Sequence, residues 1–85
     1  MTPEDKLILK TALDTLRRTG NRGMTWKNLI NLVETDTDML LTTEQAEALR
    51  KMLHDRQYVR TYNLPVTGQA QTTITPRGLD ALATL

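Results

Sequence analysis

The chain has 85 residues, of which 39% are hydrophobic and 25% charged, with a formal net charge of +1. That balance specifies one globular domain and excludes a disordered polymer, and so short a chain buries only about 60–65% of its unfolded surface, which keeps its stability modest. The absence of Cys excludes disulfides and thiolate metal sites, no apolar run is long enough for a membrane span, and the acidic start Met1-Thr2-Pro3-Glu4-Asp5 lacks the pattern of a signal peptide, so a cytoplasmic location is expected.

The first helix is predicted from about Pro3 to Arg18. Thr2 is a natural N-cap, Pro3 suits the first helical position, and Glu4 and Asp5 favour the positive helix end. Ile8, Leu9, Ala12, Leu13 and Leu16 share one face at helical spacing, whereas Leu7 points roughly the opposite way. Gly20 can stop this helix, and Thr19 to Gly23 reads as a loop. Thr25 is expected to cap a second helix with the stripe Trp26, Leu29, Ile30 and Val33. Its ring belongs to that stripe, so Trp26 is predicted to be largely buried between the first and second helices, near Leu9, Leu13 and Val59. The acidic stretch from Glu34 to Asp38 should end the second helix.

Thr42 and Gln45 have the spacing of a capping box, with Thr43 as a competing cap. A third helix then runs to about Asp55, with Ala46, Leu49, Met52 and Leu53 on its buried side. Tyr58 to Leu64 reads as a strand, Pro65 to Ala70 as a turn and Gln71 to Thr75 as a second strand. Val59 and Ile74 are the expected inward anchors. Thr75-Pro76-Arg77-Gly78-Leu79-Asp80-Ala81-Leu82 opens a short last helix.

The charges are unevenly spread. Five acids (Glu34, Asp36, Asp38, Glu44, Glu47) and no Lys or Arg lie between Asn28 and Leu49. Arg17, Arg18, Arg22 and Lys27 form one basic stretch, and Arg50, Lys51, Arg56 and Arg60 a second that is expected to cluster at the third helix and the hairpin root. The plain alternative is that Arg17 and Arg18 satisfy a helix end and that Arg56 pairs with an acid. His54 stands without a second His or any Cys, so no metal or other cofactor is expected. No nucleophile sits beside a base and no Gly-rich phosphate loop exists, so the sequence reads as a binding protein and not an enzyme.

Three fragments resemble winged helix-turn-helix proteins of the small bacterial or phage type. Met24-Thr25-Trp26-Lys27-Asn28-Leu29 looks like the entry to that family's second helix. Leu53-His54-Asp55-Arg56-Gln57-Tyr58-Val59-Arg60 resembles its passage from third helix into wing, with Gln57 where the family often has Gly. Ile74-Thr75-Pro76-Arg77-Gly78-Leu79 resembles its exit from the wing. In order, these fragments span nearly the whole chain. The resemblance implies a mostly α domain with a small β-hairpin: three helices, a two-stranded wing and a short C-terminal helix. The connection from Glu34 to Leu41 reads as longer than the tight turn of a minimal helix-turn-helix.

The resemblance also implies DNA binding, with the third helix in the major groove and the wing on the backbone or minor groove. The residues expected to serve are Lys27, Asn28, Arg50, Lys51, His54, Arg60 and Gln69. The face opposite Leu49 and Leu53 carries Glu44, Glu47, Ala48, Lys51, His54 and Asp55, which is acidic on balance, and the wing has no Lys or Arg from Thr61 to Pro76. The alternative is therefore a winged-helix module that binds protein and not DNA. Leu7, Leu82 and Leu85 could supply an apolar surface for a homodimer.

Overall fold

Every helix in the protein starts on a threonine. The computed structural model describes residues 1–85, with α1 at Pro3–Thr19, α2 at Trp26–Thr37, α3 at Thr43–Asp55, β1 at Val59–Asn63, β2 at Ala70–Ile74 and α4 at Pro76–Thr84. Thr2, Thr25, Thr42 and Thr75 each accept a hydrogen bond from the backbone N–H three residues on. Each cap satisfies one N–H that a helix start leaves without a partner, worth about 0.5–2 kcal/mol. At α3 the cap is reciprocal: Gln45 N–H donates to Thr42 Oγ1 at 3.1 Å and Thr42 N–H to Gln45 Oε1 at 2.9 Å. Thr42, not Thr43, is the cap.

α1 buries Ile8, Leu9, Ala12, Leu13 and Leu16 as expected, together with Thr15, whose hydroxyl donates to Thr11 O at 2.8 Å. Gly20 stops the helix at φ +59°, and the loop behind it is partly ordered as a 3-10 turn at Gly20–Arg22. Gly23 then sits at φ +66° so close to β2 that a Cβ there would lie 2.5 Å from Thr72 O. This contact delivers Met24 to β2, where Met24 N–H donates to Thr72 O at 3.0 Å and Thr72 N–H to Met24 O at 2.7 Å. The hairpin thus gains a third strand one residue long, which the sequence pattern did not announce.

α2 passes through the acidic stretch and stops at Thr37, with Asp38 left-handed at φ 55°. The link to α3 is therefore only Asp38 to Thr42, shorter than the Glu34–Leu41 connection read from the sequence. Two threonines in the stretch return their hydroxyls to the helix, Thr35 to Asn31 O at 2.9 Å and Thr37 to Val33 O at 2.7 Å. Glu34 stays helical too, and its carboxylate accepts Leu41 N–H at 2.7 Å, folding the link back onto α2.

The α2 stripe serves two interfaces, which corrects the expectation for Trp26. Leu29 and Val33 are fully buried, whereas Trp26 and Ile30 are half-buried. Trp26 and Ile30 pack against the core and open onto a cleft on the α3 side with Leu41, Thr43 and Ala46. A stripe wider than one helix contact splits between its two neighbours.

α3 ends in a Schellman-type cap. Tyr58 N–H donates to Leu53 O at 2.9 Å, Gln57 N–H donates to His54 O at 3.0 Å, and Gln57 is left-handed at φ 59°. Gln57 thus takes the conformation that a glycine would hold without cost. The chain leaves into β1, which pairs antiparallel with β2 from Val59↔Ile74 to Asn63↔Ala70. Val59 is buried, but its partner Ile74 is only half-buried. The buried residue of β2 is Thr72, because it lies in the middle of the ribbon between Thr61 and the added Met24.

α4 returns across α1. Gly78 in its first turn touches the wing root so closely that a Cβ would meet Tyr58 O and lie 2.7 Å from Ile74 Cγ1. Three helices, a short hairpin and a closing helix make a mostly α, winged-helix-like arrangement around one core of α1, α2, α3 and β1. No helix is long and apolar enough to cross a membrane.

Candidate nucleic-acid interface

The outer side of α3 lies between two neighbours, the amino end of α2 and the hairpin. Arg50 places its guanidinium carbon 5.4 Å from the Trp26 ring centroid, a cation–π distance. The incomplete burial of Trp26 is what makes its face available for this. Lys27 follows Trp26 in the first turn of α2 and is exposed, as is Asn28, whose backbone N–H is taken by the Thr25 cap.

His54 is exposed but tied at both ring nitrogens. Nδ1 lies 2.9 Å from Arg50 O and Nε2 3.0 Å from Thr61 Oγ1. A carbonyl only accepts, so Nδ1 donates to Arg50 O, and the Thr61 hydroxyl, which can both donate and accept, pairs with Nε2. Arg50, His54 and Thr61 thus run in sequence along the seam between α3 and β1.

The expected second basic cluster separates in three. Arg50 joins Trp26, and Lys51 stands exposed on the outer side of α3. Arg60 points to the hairpin face opposite Thr61. There it lines a cleft at the wing root with Gln57, Thr75 and Arg77, and Arg56 lines the adjoining cleft with Arg77. Arg77 is held by Gln57, donating from Nη1 to Oε1 at 3.2 Å. Sequence reasoning missed Arg77 as a partner of Arg56 and Arg60, because nothing local couples the α4 start to the α3 end. Gln69 lies at the hairpin tip, exposed and away from these cations.

Of the 11 Lys and Arg residues, only Arg17 and Arg18 form ion pairs. Arg17 reaches Asp14 at 2.7 Å, and Arg18 bridges Asp14 at 3.5 Å and Asp36 at 3.2 Å. The hydrogen bond from Arg17 lowers the Asp14 pKa below 3.8, with the charges of Arg17, Arg18 and Lys10 acting in the same sense and desolvation opposing them. These two arginines are spent within the fold. Arg56 has no carboxylate partner, so the alternative of an ion pair there does not hold. Glu44 and Glu47 are exposed and also unpaired.

The apolar surface expected for a homodimer is partly covered. Leu82 and Leu85 are half-buried against the core, and Leu7 is 47% exposed. Leu7 and Leu82 line a shallow depression between α1 and α4, rimmed by Lys10, Asp14, Arg18 and Asp36.

Comparison of the chain with protein-family models, curated proteins and solved structures finds no match. The class of the protein rests on its architecture: a small, mostly α domain of winged-helix-like build, with unpaired cations beside its third helix and hairpin.

Proposed function

We propose that the protein is a small winged helix-turn-helix protein that binds duplex DNA, a cytoplasmic regulator of transcription or of a phage or mobile element, and not an enzyme. The observation that carries this reading is the seam between α3 and the hairpin, where the Trp26 ring supports Arg50 and Thr61 holds His54. Side chains already fixed lose less entropy on meeting a ligand. Lys27 and Asn28 at the start of α2 extend this surface, and Arg60 adds a cation on the opposite face of the wing root. Binding of this kind is electrostatic in the main, because phosphate contacts dominate affinity and the hairpin has no cation from Thr61 to Pro76.

A second reading, a module that binds protein, is favoured by the unpaired Glu44 and Glu47 on the same helix. A titration of the protein with mixed-sequence duplex, followed by amide shifts at about 50 and 200 mM salt, separates the two. DNA binding is expected to move Lys27, Arg50, His54, Thr61 and Arg60, and to weaken steeply at the higher salt. An unchanged spectrum at the lower salt, with protein well above the roughly 1–100 μM range of non-specific binding, rejects DNA as the ligand.

A further inference from the structure

A groove opens between the amino-terminal parts of α1 and α3. Ile8 and Leu49, both nearly buried, and half-buried Met52 form its apolar base, and Ala48 is its exposed flank. Asp5 and Glu44 stand at its edge. The groove measures about 240 Å³, below the roughly 300–1,000 Å³ of small-molecule sites. Its size suits one or two aliphatic side chains and not a cofactor.

The polar edge is acidic and uncommitted. Neither Asp5 nor Glu44 forms an ion pair, and no Lys or Arg lines the groove. Thr42 and Gln45, which also line it, are already bound to each other in the capping box. Helix-end electrostatics accounts for an acid in the first turn of each helix. It does not account for an open apolar base between the two acids.

We propose that this groove docks a basic, amphipathic segment of a protein partner. An aliphatic side chain of that segment enters between Ile8 and Met52, and flanking Lys or Arg residues reach Asp5 and Glu44. The charge argument selects the occupant: a cationic segment finds two free carboxylates, whereas nucleic acid would bring phosphates against them. An apolar anchor seated within a polar edge is the usual source of affinity when a helix lies in a groove. The inference stands apart from DNA binding and does not depend on it.

The test uses the intact chain and two synthetic peptides of about fifteen residues, long enough to hold a helix. Both carry Leu at helical spacing, one with Lys at all other positions and one with Glu. The Lys/Leu peptide is expected to shift the Ile8 and Met52 methyl signals saturably, and the Glu/Leu peptide to leave them in place. Glu44→Lys and Ala48→Arg, both on the exposed side of α3, should each weaken the Lys/Leu peptide about tenfold or more. Val66→Ser, which removes the exposed apolar side chain at the hairpin tip, should leave it unchanged. Equal response to both peptides, no response to either, or full binding by folded Glu44→Lys and Ala48→Arg variants overturns the proposal. So does movement of the same methyl signals on addition of duplex DNA, or on raising the protein concentration alone, since either gives the groove a different occupant.

Discussion

The two halves of α3 bury the same apolar stripe but present opposite charge. The first half carries Glu44 and Glu47 and shares an apolar groove with α1. The second carries Arg50 and His54 and meets Trp26 and the hairpin. Leu49 and Leu53 anchor the helix in one core, so the contrast lies in polar surroundings and not in burial. Part of it is helix chemistry, because acids are favoured at the amino end and cations towards the carboxyl end. The remainder comes from the neighbours, which leave two acids free beside an apolar groove and fix two basic side chains beside a wing. One short helix can address two partners when its charges are separated along its axis.

The strongest challenge to this contrast is reversal of its basic half. The combined Lys27→Glu, Arg50→Glu and Arg60→Glu variant should lose about 100-fold or more of DNA affinity at low salt, for all sequences alike, and its salt slope should flatten. Fluorescence anisotropy across a salt series measures both. Unchanged affinity would place the DNA surface elsewhere.

Trp26→Ala removes the support beneath Arg50. It should cost roughly 2 kcal/mol, less than the 3–5 kcal/mol of a fully buried aromatic, because the ring is only partly buried. Urea unfolding gives the value, and a loss above that range would mean that the ring is part of the core and not a platform on the α3 side.

Gln57→Gly tests the passage from the basic half into the wing. A non-glycine residue at φ 59° carries a penalty of roughly 1–2 kcal/mol. Removing it should raise stability by about 1 kcal/mol, even though the hydrogen bond from Arg77 is lost. A lower urea midpoint would show that the Gln57–Arg77 contact outweighs the backbone strain.

Neutralising the acidic half has a smaller effect. Glu44→Gln with Glu47→Gln should raise DNA affinity about two- to fivefold at low salt by removing repulsion that salt also screens. A matched decrease would indicate that these carboxylates contact bases.

The smallest effect belongs to Asp14, on a face where charge is already neutralised within the fold. Its folded pKa is depressed, first by the Arg17 hydrogen bond. Its contribution is therefore present above the unfolded value of about 3.9 and is lost as pH falls through the lower folded value. Asp14→Asn should remove this part of the acid-induced loss and change little at pH 7, since the pair is substantially exposed. Urea midpoints at neutral pH and near pH 3 check the sign.

Much of the fold was legible in local spacing. Four threonines marked four helix starts, the Thr42–Gln45 spacing pointed to the start of α3 with Thr43 as its competitor, and the apolar stripe of α1 was buried as its period required. The end of α2 was harder to place, because Thr35 and Thr37 can bond to helical carbonyls as readily as they can break a helix. The candidate site was legible in part. Lys27, Arg50 and His54 were named from the sequence, but the ring under Arg50 and the hydroxyl on His54 follow from packing. Arg77 was overlooked because it reaches Arg56 and Arg60 only through the return of the chain.

What the sequence by itself determined is whatever depends on residues within a few positions of one another. Caps, stripes, the turn at the hairpin and the sign of charge along α3 are of this kind, because their partners are supplied by the same turn of chain. The tertiary structure alone decided which neighbour each exposed group meets. Met24 joined β2, Trp26 met the α3 side, Arg60 came to share a cleft with Arg77, and the docking of α4 half-buried Leu82 and Leu85 against the core. Gln57 shows where the two meet. Its own preference is against φ 59°, yet the hydrogen bonds that close α3 and the pairing of β1 with β2 hold it there. Contacts between distant segments together outweigh a local penalty of roughly 1–2 kcal/mol, and such contacts cannot be read from the segment that bears the cost.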